Sequence, residues 1–423
     1  MLITVGFNFL RKVRYFALSI ISRVALCVRG LATNGEKQTL VLLALGASKG
    51  SPFVARSVLE AGYRLVVCAP RVPMYEGRYA SKWIKVDPQG DYDTLLNVVK
   101  NEHPLAVLVE QRNILLPVKA RLNADIGFDF YGQSSYITSN SKVEFRKALS
   151  TADVPNIPWC LLEDLKDSKV SFPLIFKPEK GTGSRGIRIV NSDEDLQEAI
   201  AGLEQFNDDE TVGGRVLLEE LVEGRQFDVE GVYQNGKYSP LAFIEEHYDI
   251  VGTAIPSAWY LFNPPVSKQI EDVVYNSAEA FTQALGVNHG AFHCEMKVTS
   301  ELSAYAIDYS NRMGYPHLVS EACGQWFPEL YVRVMAGERL ALDNLQKGTV
   351  FQEYIRTEEK YSRYKQLLKK YPKMLVQRNI HFVTAGVPMR ARVALKADSY
   401  EHISNILDEF NLVPVQWEDF YKA

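Results

Sequence analysis

The sequence is poor in cysteine. Five stand in 423 residues, at Cys27, Cys68, Cys160, Cys294 and Cys323; the number is odd, they are scattered, and no two form a C-x-x-C pair. That pattern argues against a disulfide framework and against a thiolate zinc site. It fits small buried thiols in a reducing, cytoplasmic compartment. An excess of one charge is also missing. Lys and Arg number 47 and Asp and Glu 51, a net charge of −4, which gives no electrostatic case for a nucleic-acid partner. No apolar run reaches the ~20 residues that a spanning helix needs. Neither an internal repeat nor a low-complexity tract is visible. What is present is apolar material, 47% of the chain, with 23% charged residues. Such a chain folds, and its length predicts about two to four domains.

Residues 1–36 differ from the rest. Arg11, Lys12, Arg14, Arg23 and Arg29 all precede the first acid, Glu36. At ~100° per residue these bases share one half of a helical wheel, while Val13, Phe16, Ile20, Ile21, Val24 and Val28 share the other. A basic amphipathic helix of this type can lie on an anionic membrane surface. It also resembles an Arg-rich targeting segment, and an ordinary helix packed on the body fits equally. Peripheral membrane contact through residues 1–30 is therefore one expectation, and a wholly cytoplasmic chain the other.

From Thr39 the chain alternates apolar strands with helices. Thr39–Leu45 precedes the glycine turn Gly46 to Ser51. Phe53–Ala61 and Tyr92–Glu102 read as helices, and Tyr63–Ala69, Trp83–Val86 and Ala106–Glu110 as strands. This rhythm predicts a parallel sheet with crossover helices. A second block begins near Tyr136. Ser141–Leu149 and Ser192–Leu203 are predicted helices, and Pro173–Lys177, Ile187–Val190, Val216–Leu218 and Phe227–Tyr233 predicted strands. Gln234 to Lys237 is a hairpin turn. Ile270–Leu285 is a long helix, and Ala291–Val298 pairs with Ala304–Tyr309. Beyond Gly337 the texture is more polar, with a charged helix at Thr357–Lys370 and then a strand and a helix.

Between two of these strands lies Lys177-Pro178-Glu179-Lys180-Gly181-Thr182-Gly183-Ser184-Arg185-Gly186. A dinucleotide fingerprint would need a helix after the glycines; here a strand follows. A flap joining antiparallel strands fits better. Its backbone N–H groups and the Ser184 hydroxyl can cover phosphates, because Gly181, Gly183 and Gly186 permit close approach. Lys177 can place a point charge on phosphate oxygens. Walker A, H-R-D and D-F-G sequences are all absent, which excludes the common kinase and P-loop readings.

Further on, Gly290 to Lys297 alternates, so His293, Glu295 and Lys297 share one strand face. Asp308 and Ser310 share a face of the next strand, with Arg312 following at the same period. Carboxylates on paired strands can hold a hard cation through oxygen, and an arginine beside them can stabilise charge during phosphoryl transfer. His293 stands as a possible base for an incoming amine.

This constellation resembles the ATP-grasp superfamily of carboxylate–amine ligases, over roughly residues 39–335. The Lys142 of Ser139-Asn140-Ser141-Lys142 and Lys177 match the family's phosphate-contacting lysines. Glu219, Glu220, Leu221 and Val222, followed by Glu223-Gly224, look like the hinge that grips adenine through backbone groups. Glu295 and Asp308 match the metal-bridging acids, Ser310 stands at the third ligand position, and Arg312 matches the catalytic arginine. The His293-x-Glu295 pair is similar to the branch that joins amino acids into dipeptides. Three positions depart from the family: Asp308 where Glu is usual, Ser310 where Asn is usual with Asn311 one residue on, and Gln226 where a Glu holds the ribose.

The resemblance implies an α/β and α+β chain with an ATP-grasp fold. Residues 1–36 would be the basic extension, 37–135 an N-terminal parallel-sheet domain, 136–336 the two-lobed ATP-grasp domain and 337–423 a small C-terminal α+β region. It implies ATP and Mg²⁺ (or Mn²⁺) as cofactors, and small carboxylate and amine substrates, amino acids among them. It allows a homodimer. The implied activity is amide-bond formation through an acyl phosphate, releasing ADP and phosphate. Its rivals are an ATP-dependent carboxylase-type ligase and a catalytically weakened nucleotide-binding protein recruited to membranes. The segment from Glu245-Glu246-His247-Tyr248-Asp249 to Trp259-Tyr260 mixes acids and aromatics, which suits either the border of an acceptor pocket or a solvated loop.

Overall fold

The computed structural model describes residues 37–414 except 46–50, 73–75, 110–112, 129–132, 182, 207–211, 253, 344 and 385. The basic extension at 1–36 and the glycine turn at 46–50 lie outside the described residues.

The N-terminal sheet consists of β1 (Thr39–Leu43), β2 (Arg64–Ala69), β3 (Lys82–Lys85) and β4 (Pro104–Val109). Its order is β3-β2-β1-β4 and every pairing is parallel. All five residues of β1 are buried. Covered on both faces, such a strand carries an unbroken apolar run instead of an alternation. The helices Ser51–Glu60 and Tyr92–Lys100 make the crossovers. Asp91 caps the second of them by accepting from the Thr94 amide at 2.8 Å.

A small antiparallel sheet follows, of β5 (Trp159–Leu161), β6 (Leu174–Lys180), β7 (Arg188–Val190) and β8 (Gly213–Glu220), in the order β5-β8-β6-β7. β6 and β7 run antiparallel on either side of the glycine segment, the flap geometry expected from the sequence. Leu174, Phe176, Val190, Leu196 and Leu218 form its core with the helix Asp193–Gly202.

The third sheet has eight strands: β9 (Arg225–Gln234), β10 (Lys237–Tyr248), β11 (Ser257–Phe262), β12 (Gly290–Val298), β13 (Ala304–Ser310), β14 (Thr349–Ile355), β15 (Leu375–Thr384) and β16 (Val387–Ala397). Their order is β13-β12-β9-β10-β11-β14-β16-β15. Asn235 and Gly236 both take positive φ, 52° and 81°, as the two-residue hairpin between β9 and β10 requires. The long helix Lys268–Ala284 packs Val274, Ala278 and Phe281 beneath β9 and β12.

Two sequence expectations change here. The Glu245–Tyr260 segment is not simply a solvated loop, for its two ends lie in β10 and β11, and Glu245, Glu246, Trp259 and Tyr260 are buried. The C-terminal region does not stand apart, because β14 joins β11 and extends the large sheet through β16 to β15. The polar texture after Gly337 hid this: β14 is buried and lacks the two-residue alternation that marks a half-exposed strand. No helix among the described residues is long and apolar enough to cross a membrane.

Candidate active site

A cavity of about 1020 Å³ lies where the small sheet meets the large one. The flap, the β8–β9 junction, the facing ends of β10, β12 and β13, and the loop after β13 line it. β8 ends at Glu220 and β9 begins at Arg225, so Leu221–Gly224 is the connecting piece. A side chain at residue 224 is impossible: its Cβ would stand 2.3 Å from the Val298 carbonyl oxygen, and φ is +149°. Glycine thus lets the hinge lie directly on the end of β12.

Ser141 caps the helix Lys142–Thr151 by accepting from the Glu144 amide at 3.2 Å, which sets Lys142 in the first turn and at the cavity wall. Lys142 Nζ donates to the Gly181 carbonyl at 3.1 Å and lies 3.8 Å from Asp308 Oδ2. In the flap, Gly181, Gly183, Ser184 and Gly186 all take positive φ. Lys177 Nζ donates to Glu219 Oε2 at 2.7 Å and to the Ile307 carbonyl at 3.1 Å. An ammonium has three N–H donors, so each lysine retains donor capacity toward the cavity.

Glu219 has a different place from the one expected of a hinge residue. It belongs to β8 and is 2% exposed. Its carboxylate accepts from Arg146 Nε at 2.7 Å and Nη2 at 3.0 Å, as well as from Lys177. Burial alone would raise its pKa, but the charges and hydrogen bonds of Arg146 and Lys177 outweigh burial and hold it near about 2. Glu219 is a buried counter-ion that aims Lys177. The Glu220 side chain accepts from the Ser171 amide at 3.2 Å, and Leu221 donates its amide to the Pro173 carbonyl.

Across the cavity, β12 and β13 put Glu295 and Asp308 directly opposite each other, and His293 opposite Ser310. Ser310 Oγ accepts from Asn113 Nδ2 at 3.2 Å. Asn311 is turned out of the cavity. Its amide donates to Ser139 Oγ at 2.8 Å and its Nδ2 to Ser135 Oγ at 3.0 Å, so it cannot stand in for Ser310. Arg312 donates from Nε to Asn113 Oδ1 at 2.5 Å and from Nη1 to the Met313 carbonyl at 3.0 Å.

His293 requires a correction. Its Nε2 lies 2.8 Å from Glu295 Oε1 and its Nδ1 3.2 Å from Glu230 Oε1. Burial by itself would lower its pKa, but the hydrogen bonds and charges of both glutamates outweigh it and hold the imidazole well above its ordinary value. Both ring nitrogens face carboxylates, so His293 is committed to ordering the acids and has no open nitrogen for an incoming amine. Glu230 in turn accepts the Gly314 and Tyr315 amides at 3.0 and 2.7 Å, which fixes the loop that carries Arg312. A Cβ on Gly314 would come within 2.2 Å of Glu230 Oε1.

Gln226 is 3% exposed and donates from Nε2 to Glu246 Oε2 at 3.1 Å and to the Tyr248 hydroxyl at 3.0 Å. Its amide is therefore occupied with an acid that the sequence reading placed only at the border of an acceptor pocket. Asp228, Glu230, Arg146 and Asn113 were missed. Asp228 and Glu230 had a legible signal, two acids at a spacing of two inside an apolar strand. Arg146 had another, a charge between Val143 and Leu149 on the buried helix face. Asn113 had none, as it comes from the N-terminal domain, 197 residues before Ser310.

With this geometry in hand, the comparisons with known proteins are specific. Residues 170–315 match the family described as ATP-grasp domain. The chain is 26% identical over 282 residues to a biotin carboxylase of Halalkalibacterium halodurans, covering 62% of this chain and 59% of that protein. It is 25% identical over 190 residues to a D-alanine–D-alanine ligase of Pediococcus pentosaceus, covering 42% and 50%. The chain thus spans 59% of the first relative's length and 50% of the second's. Its fold is similar to that of an L-amino acid ligase from Bacillus licheniformis, with a TM-score of 0.69 at 14% identity, covering 89% of this chain and 98% of the other. Residues 170–315 are an ATP-grasp domain.

Proposed function

We propose that the protein is an ATP-dependent carboxylate–amine ligase, acting on small substrates of the amino-acid class and releasing ADP and phosphate. One observation carries this reading: Lys142, Lys177 and Arg312 converge on the Glu295–Asp308 pair from three different elements of one cavity. Cations on one side and hard oxygen donors on the other suit a polyphosphate bound with a divalent ion. Glu295, Asp308 and Ser310 fit Mg²⁺ or Mn²⁺ by donor chemistry, and the ion would neutralise phosphate charge.

A carboxylate is a poor electrophile. Transfer of the γ-phosphoryl group of ATP to the substrate carboxylate forms an O–P bond and releases ADP. The amine nitrogen then attacks the acyl carbon, and phosphate leaves. Lys142 and Lys177 would orient the phosphates, and Arg312 would stabilise charge on the transferred group. The glycine flap would exclude the water that otherwise hydrolyses the acyl phosphate.

The walls of the cavity bear on the acceptor. Glu245, Glu246 and Glu295 line its large-sheet side, and Asp228 and Glu230 are buried on β9 next to them. An acid-rich wall favours an amine that arrives as a cation and disfavours bicarbonate, an anion, so it supports the amide-forming ligase over the carboxylase. The test is hydroxylamine trapping. With a substrate acid, ATP and Mg²⁺, hydroxamate should accumulate, and Arg312→Ala should suppress it at least a hundredfold. No hydroxamate from any of a panel of amino acids would contradict the reading.

A further inference from the structure

Behind the Glu295–Asp308 pair lies a second group of carboxylates. Asp228 on β9, Glu246 on β10 and Glu295 on β12 each direct an oxygen to a common point, and these oxygens lie within 4.8 Å of one another. The register makes the cluster: Glu295 is the direct neighbour of Asp228 across β12 and β9, and Glu246 is the neighbour of Gln226 across β10 and β9.

The surrounding charges do not balance it. Glu219 is met by Arg146 and Lys177, Glu245 by Arg225, and Asp308 by Lys142. Around the cluster stand Asp228, Glu230, Glu246 and Glu295, with His293 as the cation between two of them. Lys297 shares the cavity wall, but its Nζ donates to the Gly224 carbonyl at 3.2 Å. Glu246 receives only neutral donors, the Gln226 amide and the Ser257 hydroxyl. Asp228 is 0% exposed and neither of its oxygens has a hydrogen-bond partner. A buried carboxylate with both oxygens unpartnered is costly, and this one is aimed at two further acids.

We propose that Asp228, Glu246 and Glu295 form a site for a hard divalent cation of about the size of Ca²⁺, separate from the Glu295–Asp308–Ser310 set. Of the nearby cations, His293 lies between Glu230 and Glu295, and Lys297 and Arg312 act from a distance; none donates to Asp228 or Glu246, and carboxylates that converge without a cationic donor favour a hard ion that takes oxygen ligands over an organic ammonium. Ligands 2.3–2.6 Å from Ca²⁺ stand up to about 5 Å apart, so an ion of that size spans the whole 4.8 Å range without any ligand moving, whereas the 2.0–2.1 Å bonds of Mg²⁺ would need every pair within about 4.2 Å. Glu295 belongs to both sets, so an ion held here would fix the carboxylate that faces the phosphates. Gln226 completes the wall as a neutral donor to Glu246, where a further carboxylate would add repulsion.

Terbium luminescence on the full, nucleotide-free chain tests this. Tb³⁺ is a hard, Ca²⁺-sized ion, and Tyr248 and Tyr260 stand one hydrogen-bonded neighbour from Glu246, close enough to sensitise it. Wild type should give sensitised emission that Ca²⁺ reverses and that Mg²⁺ reverses only at more than tenfold higher concentration. Asp228→Asn and Glu246→Gln should each weaken binding at least tenfold. Asp308→Asn should change it less than threefold. Circular dichroism and the thermal midpoint of each variant establish that it is folded, and Asp228→Asn, which removes an uncompensated charge, should not melt lower than wild type. Loss of the signal in Asp308→Asn with retention in Asp228→Asn would overturn the proposal, as would reversal by millimolar amines but not by Ca²⁺, or the absence of saturable binding by wild type.

Discussion

Asn113 and Arg312 are 199 residues apart in the chain, yet Asn113 Oδ1 accepts from Arg312 Nε at 2.5 Å. The same amide donates to Ser310 Oγ from its nitrogen. One side chain of the N-terminal domain therefore orients both an arginine and a hydroxyl of the phosphate side of the cavity. Asn113→Ala should lower kcat by roughly 10- to 100-fold, the scale of one hydrogen bond to a charged group and of a small misplacement. Because Lys142 and Lys177 are untouched, KM for ATP should change less than threefold. Steady-state kinetics with a thermal-melt control would check this, and unchanged kcat would remove Asn113 from the positioning of Arg312.

The Arg146–Glu219–Lys177 cluster ties stability to pH. The Glu219 carboxyl sits near about 2 in the folded chain, below the ~4.3 of an unfolded glutamate. A group lowered on folding stabilises above its unfolded value and loses that contribution as pH falls through its folded value. About 3 kcal/mol should thus be present at pH 7 and be lost between about pH 5 and pH 2. Arg146→Met removes two of the three charge-assisted hydrogen bonds to Glu219 and should cost about 3–5 kcal/mol at pH 7. Urea titrations at several pH values measure both, and a variant within 1 kcal/mol of wild type at pH 7 would contradict the arrangement.

Glu295→Gln should abolish turnover while the chain stays folded. An amide can keep one hydrogen bond to His293, but it loses the charge that faces Asp308 and the phosphates, worth several kcal/mol of transition-state stabilisation. Activity within tenfold of wild type, with a normal melt, would take Glu295 out of the reacting centre.

For Gln226 the structure reverses an inference from family likeness. A glutamate there would ordinarily strengthen a ribose contact, but here it would press a carboxylate against Glu246, which Gln226 now reaches with an N–H at 3.1 Å. Gln226→Glu should destabilise the chain by roughly 1–3 kcal/mol above about pH 8, where Glu246 is ionised, the cost of replacing a made hydrogen bond with a like-charge contact. The penalty should shrink as pH falls, since burial and Glu295 already raise the Glu246 pKa to about 8. Tighter ATP binding with unchanged stability would show that the side chain faces the nucleotide instead.

The legible parts of this protein are those where local pattern and tertiary role coincide. The unbroken apolar run of β1, the Asn235-Gly236 turn and the alternation around Glu295 each carry their structure within a few residues, and Lys142, Lys177 and Arg312 line one cavity. What escaped depends on distant pairing. Glu219 reads as part of a hinge until Arg146 is brought beside it, 73 residues away in sequence. His293 reads as a base until Glu230, from the neighbouring strand, closes its other side. β14 hides in a polar stretch because its partners, β11 and β16, are not sequence neighbours.

The central claim is that the γ-phosphoryl group of ATP is transferred within this cavity. Lys142, Lys177 and Arg312 line that one cavity, and the resulting nucleotide should be ADP, with one phosphate released for each amide formed. Chromatography of the nucleotides in a reaction with ATP, Mg²⁺ and a productive acid–amine pair measures this directly. ADP appearing in step with product is the predicted result; AMP and pyrophosphate appearing in its place would contradict the account.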